Sequence, residues 1–181
     1  MRSLIAVLSL ALVLLAAGCA GPAAVPEDSY YRLAQPEPEC LPRGPLLNGG
    51  VAVAVTDTPA LYQDRAIVYR TTAAPLQLRR HHYHYWSEAP ARLLQQYLVA
   101  YFERAGLADR VQAEAYDTEA RYRLRVQLLR FDRIEAPEAT GVEVALAFEL
   151  DDRQTGASLA AARERHILFT EANASMHATA V

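Results

Sequence analysis

Lysine is absent from this 181-residue chain: all 18 basic residues are arginine, against 21 Asp and Glu, for a formal charge of -3. A strongly basic face for nucleic acid is therefore missing, and nucleic acid is set aside as a main partner. Glycine is scarce at 8 residues and cysteine occurs only twice, which excludes collagen-like chains and multiply disulfide-stapled folds. No apolar run reaches the ~20 residues of a membrane span. Missing too are G-x-S-x-G, H-E-x-x-H, the phosphate-binding G-x-x-x-x-G-K-[ST] and the dinucleotide glycine fingerprint, so no catalytic residues are assigned and an enzyme is not expected. What is present, 52% hydrophobic and 22% charged, suits one packed domain, since a chain of roughly 150 residues buries about 68–70% of its unfolded surface.

The first residues read as a secretory signal: Arg2, an apolar run from Leu4 to Leu15, and small Ala16-Ala17-Gly18 before Cys19. This resembles the bacterial lipobox, whose cysteine is lipidated on sulfur and becomes the first mature residue. Ala16 stands where that motif usually has Leu. By the same resemblance, Ala20 favours sorting to the outer membrane; a cleaved, soluble periplasmic protein is the alternative. The division expected is residues 1–18 as signal peptide, 19–29 as lipidated cysteine and flexible tether, and 30–181 as the folded domain. Six of the ten prolines fall between Pro22 and Pro45, which excludes continuous helix or central sheet there. Cys40 is expected to be an unpaired thiol.

In the body of the chain, Tyr30 to Leu33 is β-prone, and Val51 to Val55 is apolar on both faces, as in a central strand covered on two sides. Arg65 to Arg70 reads as the next strand, and the basic, aromatic stretch Leu78 to Trp86 is left unassigned. Ser87 looks like an N-cap, with apolar residues at helical spacing from Leu94 to Ala105 and Gly106 as the stop. Tyr122 to Leu128 alternates apolar with Arg121, Arg123 and Arg125, and a break near Leu128-Leu129 suggests a bulge. Val142 to Leu150 alternates as well, so a hairpin would set these arginines against Glu143 and Glu149. A final strand is expected over Leu159 to Phe169. The expected fold class is α+β: a mainly antiparallel sheet covered by one long helix, behind a Pro-rich N-terminal tether.

Candidate chemistry is thin. His82 and His84 would share a strand face, as zinc ligands do, but no third ligand stands at a recognisable spacing, and neither metal nor cofactor is expected. Asp151-Asp152 reads as turn chemistry. The Arg121-Arg123-Arg125 stripe reads as a solvated strand face.

The segments Val51 to Val55, Pro59 to Arg70 with its Ile67-Val68-Tyr69-Arg70 strand, Tyr85-Trp86 before a Leu-rich helix, and Tyr122 to Val126 with Phe131 resemble the ABC-type transport auxiliary lipoproteins, which include the paraquat-inducible protein C family. The resemblance implies an outer-membrane-anchored periplasmic subunit, lipidated at Cys19, working with an MCE-domain protein and an inner-membrane ABC transporter in lipid traffic. Tyr69, Arg70 and Trp86 are expected to act through structure or partner docking rather than catalysis, since aromatic and Arg residues are typical interface anchors, with stapling of the helix entry the alternative for Trp86. The rival readings are a periplasmic small-ligand or lipid-binding lipoprotein, which needs an apolar cavity of at least ~300 Å³, and a zinc hydrolase built on His82 and His84. Such lipoproteins usually close with a long amphipathic helix, whereas this sequence stops at Val181. One helix is too narrow to hide a sheet of five or six strands, so an apolar patch beside it, open or covered by self-association or a partner, is expected.

Overall fold

The computed structural model describes residues 25–38 and 44–171; Cys19, Cys40, His177 and the signal segment lie outside the described residues. Within them the order is β1 (Ser29–Tyr31), β2 (Leu47–Thr56), β3 (Ala66–Thr71), β4 (Ala74–Trp86), α1 (Pro90–Arg104), β5 (Ala108–Ala113), β6 (Tyr122–Glu135), β7 (Ala139–Asp152) and β8 (Ala157–Glu171). Short 3-10 turns occupy Ala60–Tyr62 and Glu114–Tyr116.

The sheet forks at β6. One edge of β6 carries an antiparallel meander through β7 to β8. The other edge is shared: its first half pairs parallel with β2, its last residues parallel with β3. One branch continues from β2 to a parallel β5, the other from β3 to an antiparallel β4 and then a parallel β1. The expectation of a mainly antiparallel sheet is therefore corrected: the sheet is mixed, and its centre is parallel. The physical reason lies in β2, where Val51, Ala52 and Val53 are fully buried and Ala54 is 5% exposed. Apolar side chains on both faces need cover on both, the usual situation of a strand between parallel neighbours. α1 packs over one face of β2 and β5, and the segment between β5 and β6 returns across the other. Gly50 permits that close return, because a Cβ there would meet Asp117 Oδ2 at 3.1 Å and Arg110 Nη2 at 3.2 Å.

The helix starts later than Ser87. Its N-cap position is Ala89, without a side-chain cap, and Pro90 opens the first turn. Ser87 instead donates its N–H to Tyr31 O at 2.6 Å, which holds it at the end of the β1–β4 pairing, while a proline following Ala89 keeps that residue out of the α region. The stop falls where expected. Gly106, at φ +64, donates to Glu103 O and Leu107 donates to Phe102 O, both at 3.1 Å, the paired bonds of a Schellman ending. Leu93, Leu94 and Leu98 form the buried stripe.

Leu128 faces Leu146 and Arg130 faces Ala145, so Leu129 is the extra residue of the expected bulge. Beyond it the parity changes. Phe131 joins Leu124, Val126 and Leu128 in the core beneath the helix, and Asp132 and Ile134 turn to the opposite face. The unassigned stretch Leu78 to Trp86 belongs to β4, a strand interrupted where Ala66 faces Tyr85 but Val68 faces Arg80. Beside the helix the face of β7 and β8 is open, with Leu168 56% exposed.

Candidate functional site

The arginine stripe leading into and along the first half of β6 is used in ion pairs. Arg121 meets Asp152 at 2.9 Å, Arg123 meets Glu114 at 2.7 Å, and Arg125 meets Glu149 and Asp151, each at 2.9 Å. Arg125 and Glu149 face each other in register, as the hairpin pattern implies. Asp152 also accepts the backbone N–H of Gln154 at 2.9 Å and of Thr155 at 3.4 Å, which closes the turn. Glu143 does not join this solvated face. It is 1% exposed and lies opposite Asp132, itself fully buried, beyond the bulge.

Those two carboxylates form the core of an ion cluster. Arg70 donates to Glu143 Oε2 at 2.5 Å, and its Nε lies 3.7 Å from Asp132 Oδ2. Arg165 donates to Glu143 Oε1 at 2.5 Å, Arg130 approaches both acids, and the Tyr62 hydroxyl donates to Asp132. Burial pushes both carboxyl pKa values up. At Asp132 burial wins, and the group is held above the ordinary aspartate range; at Glu143 the hydrogen bonds from Arg165 and Arg70 outweigh it, and the pKa falls. Burial, with Asp132 beside it, raises the Tyr62 hydroxyl.

Tyr69 stacks on His81 with ring centroids 4.3 Å apart, and His81 meets His84 edge to face at 5.3 Å. The irregularity in β4 thus brings His81, not His82, to His84. Tyr31 Oη and His84 Nδ1 are hydrogen-bonded at 3.0 Å. Burial lowers the His81 pKa, although Glu135 Oε1 lies 3.5 Å from its Nε2. Among the described residues no three His, Cys, Asp or Glu side chains are placed to hold a metal ion.

Between α1 and the β6–β7 face lies a cavity of about 250 Å³. Leu94 and Leu98 form its helical wall, Phe131, Val144 and Leu146 its floor, and Trp86, whose ring is 5.1 Å from that of Phe131, one side. Tyr69, Arg70 and Trp86 therefore have different surroundings. Tyr69 packs under His81, Arg70 ties the acids on the opposite face, and Trp86 lines the cavity. The acid cluster and the cavity were not foreseen. Asp132 falling out of phase after the bulge was the one available signal for the cluster, and nothing in the sequence marked the cavity.

The described residues thus form an α+β domain with a forked, mixed sheet and an apolar cavity beside its single described helix. The chain belongs to the family of ABC-type transport auxiliary lipoprotein components, whose model matches residues 31–180. It is accordingly an auxiliary lipoprotein component of ABC-type transport, from a transport family rather than an enzyme family. No curated protein matches the sequence. Among solved structures, protein XCC0632 from Xanthomonas campestris is similar at a TM-score of 0.67 and 17% identity, over 84% of this chain and 83% of that one. A second crystal structure, of an uncharacterized protein, is similar at a TM-score of 0.53 and 16% identity, over 86% and 87% of the two chains. At these identities the likenesses speak for the fold alone.

Proposed function

We propose that this protein is an outer-membrane-anchored periplasmic lipoprotein that serves as the auxiliary subunit of an MCE/ABC-type intermembrane lipid transport system. The observation that carries the reading is the family match across residues 31–180. The lipobox-like sequence ending at Cys19 supports a lipid anchor, with residues 1–18 removed and 19–29 as tether. Several acyl chains on that cysteine, each burying many CH₂ groups at ~0.8 kcal/mol apiece, hold a protein at a membrane. The partners are an MCE-domain protein and an inner-membrane ABC transporter. The docking region runs from Tyr69 to Trp86, where Tyr69 stacks on His81 across the β3–β4 hairpin, Arg70 ties β3 to the acids of β6 and β7, and Trp86 stands at the end of β4. Self-association through the open β7–β8 face belongs to the same reading.

Isolation of the tagged protein from cross-linked cells tests the partnership. Recovery of the MCE-domain protein and the transporter supports it, and recovery of neither from a folded, outer-membrane-localised protein overturns it. Cys19→Ala is expected to leave the outer-membrane fraction; unchanged fractionation without precursor accumulation overturns the anchor. Trp86→Ala separates docking from packing, since loss of stability with full partner binding per folded molecule removes Trp86 from the docking surface. The second reading, a periplasmic small-ligand or lipid-binding lipoprotein, needs an apolar cavity of at least ~300 Å³, and the cavity beside Trp86, at about 250 Å³, falls short of it.

A further inference from the structure

We propose that the turn end of β4 is a membrane-contact surface, which lays the domain on the anionic phospholipid bilayer that holds its Cys19 anchor, with Leu76 entering the lipid and Arg79 and Arg80 on phosphates. It rests on the anchor reading above for which membrane is near, and on the β3–β4 hairpin alone for the face presented to it. Tyr69 faces Arg79 and Thr71 faces Ala74, so Pro75 to Leu78 stand against Arg70 alone and bulge from the ladder. Leu78 packs against the core, whereas Leu76 is 96% exposed. An apolar side chain held out in water beside a hairpin turn gains by entering an apolar phase.

Charge gives the occupant its sign. Between Arg70 and Glu88 the sequence carries Arg79, Arg80 and three histidines, and no acidic residue. Arg79 donates to Gln77 Oε1 at 2.8 Å and pairs with no carboxylate among the described residues, while Arg80 lies 3.4 Å from Asp64 in a half-exposed pair. Glu135 lies between Arg133 and His81, and Glu138, in the β6–β7 turn, has β3 between it and β4. Glu27 and Asp28 belong to the chain arriving at β1, where Asp28 accepts the Tyr30 hydroxyl. Phosphate oxygens suit the two guanidinium groups, whose stems lie along the lipid boundary.

The path of the chain points the same way. β1 runs parallel to β4 with Ser29 opposite His84, so the chain reaches Ser29 from the turn side. β3, six residues long, covers the distance from that level to the turn, about 17 Å. The stretch from Ala20 to Ser29 spans up to about 33–36 Å, so Cys19 reaches a membrane on which the turn rests. Tyr69, Arg70 and Trp86 are engaged within the fold and take no part in this contact.

The experiment reads which end of the domain touches lipid. The mature chain, with Cys40→Ser, carries a polarity-sensitive fluorophore at Leu76→Cys or, as the control, at Gln154→Cys in the β7–β8 turn of the opposite end. It is reconstituted by its own anchor into nanodiscs of phosphatidylethanolamine and phosphatidylglycerol with brominated acyl chains. A parallel sample replaces the anchor by Cys19→Ala and an N-terminal histidine tag on nickel-chelating lipid, so the surface is scored whether or not Cys19 is lipidated. Blue-shifted, quenched emission is expected at position 76 and unshifted, unquenched emission at 154. Arg79→Gln and Arg80→Gln should each lower the ratio of quenched to unquenched protein about fivefold, the effect of one basic residue at an anionic surface, and phosphatidylcholine in place of phosphatidylglycerol should lower it too. Equal quenching at the two positions, or quenching at 76 that neither the arginine variants nor the neutral lipid reduces, overturns the surface. Absent quenching at 76, with recovery of the MCE-domain protein lost in Leu76→Ser, assigns the bulge to the partner and overturns it as well. Quenching at 76 in the tagged sample without native anchoring overturns the anchor alone.

Discussion

The two halves of β6 share one alternation of apolar and polar residues and meet opposite surroundings. Before the bulge, Leu124, Val126 and Leu128 are sealed beneath the helix, and the arginines on the other face make half-exposed ion pairs. After it, Phe131 faces a cavity, and Asp132 on the other face is fully buried among Arg70, Arg130 and Tyr62. What differs is the cover. In the first half, apolar atoms are packed and Arg125 pairs with partly exposed acids, Asp152 being the one buried carboxylate; in the second, Asp132, Glu143 and Arg70 are dry and apolar atoms border a cavity. Stability is therefore expected to reside in different kinds of contact on the two sides of Leu129.

The largest effect should come from Arg70→Ala, which leaves Glu143 and Asp132 buried with less compensation and costs about 3–5 kcal/mol in urea unfolding. Arg125→Ala, in the first half, should cost about 0–1 kcal/mol. Equal losses for the two would break the comparison.

Leu128 is fully buried, and Leu128→Ala should cost about 2–5 kcal/mol. Val144→Ala, at the cavity floor, is expected to cost clearly less, because fewer atoms surround the group removed. A smaller loss at Leu128 than at Val144 would show that the cavity is closed in solution.

The cover of the first half can be strengthened. Ala89→Ser supplies the missing N-cap acceptor and should add about 1 kcal/mol, whereas Ser87→Ala should lose little. The reverse order would return the start of the helix to Ser87.

The smallest effect is a pH slope beside the second half. Burial lowers the His81 pKa, with Arg133, His82 and His84 acting in the same sense and Glu135 against. The folded protein thus keeps the imidazole neutral while the unfolded chain gains a proton as the pH falls below about 6.5. Stability should decline on acidification through that range and be flat above it. His81→Gln should flatten the slope; an unchanged slope would place its origin elsewhere.

Much of this was legible locally. The Schellman stop at Gly106, the bulge at Leu129, the Asp152 turn and the facing of Arg125 by Glu149 all follow from neighbours in sequence or from period-two alternation. Pro90 also held the true start of the helix, since a residue before proline avoids helical backbone, yet Ser87 drew the assignment because a hydroxyl is a good cap wherever it stands. β5 carries no local signal, because Ala108 to Ala113 buries only Val111 closely and shows no alternation. Period-two alternation pairs His82 with His84, whereas the irregular strand β4 sets His81 against His84.

The alternation that makes β6 and β7 a hairpin, the two-sided apolar character of Val51 to Ala54, the turns and the end of the helix are encoded locally, because each depends on residues a few positions apart. Long-range packing sets the rest: β2 runs parallel between β5 and β6, β6 is shared by two branches, Glu143 is dry while Glu149 is wet, and a cavity borders Trp86. Strand order and cover are set by contacts between residues as distant as Arg70 and Glu143, and no local pattern encodes which partner arrives.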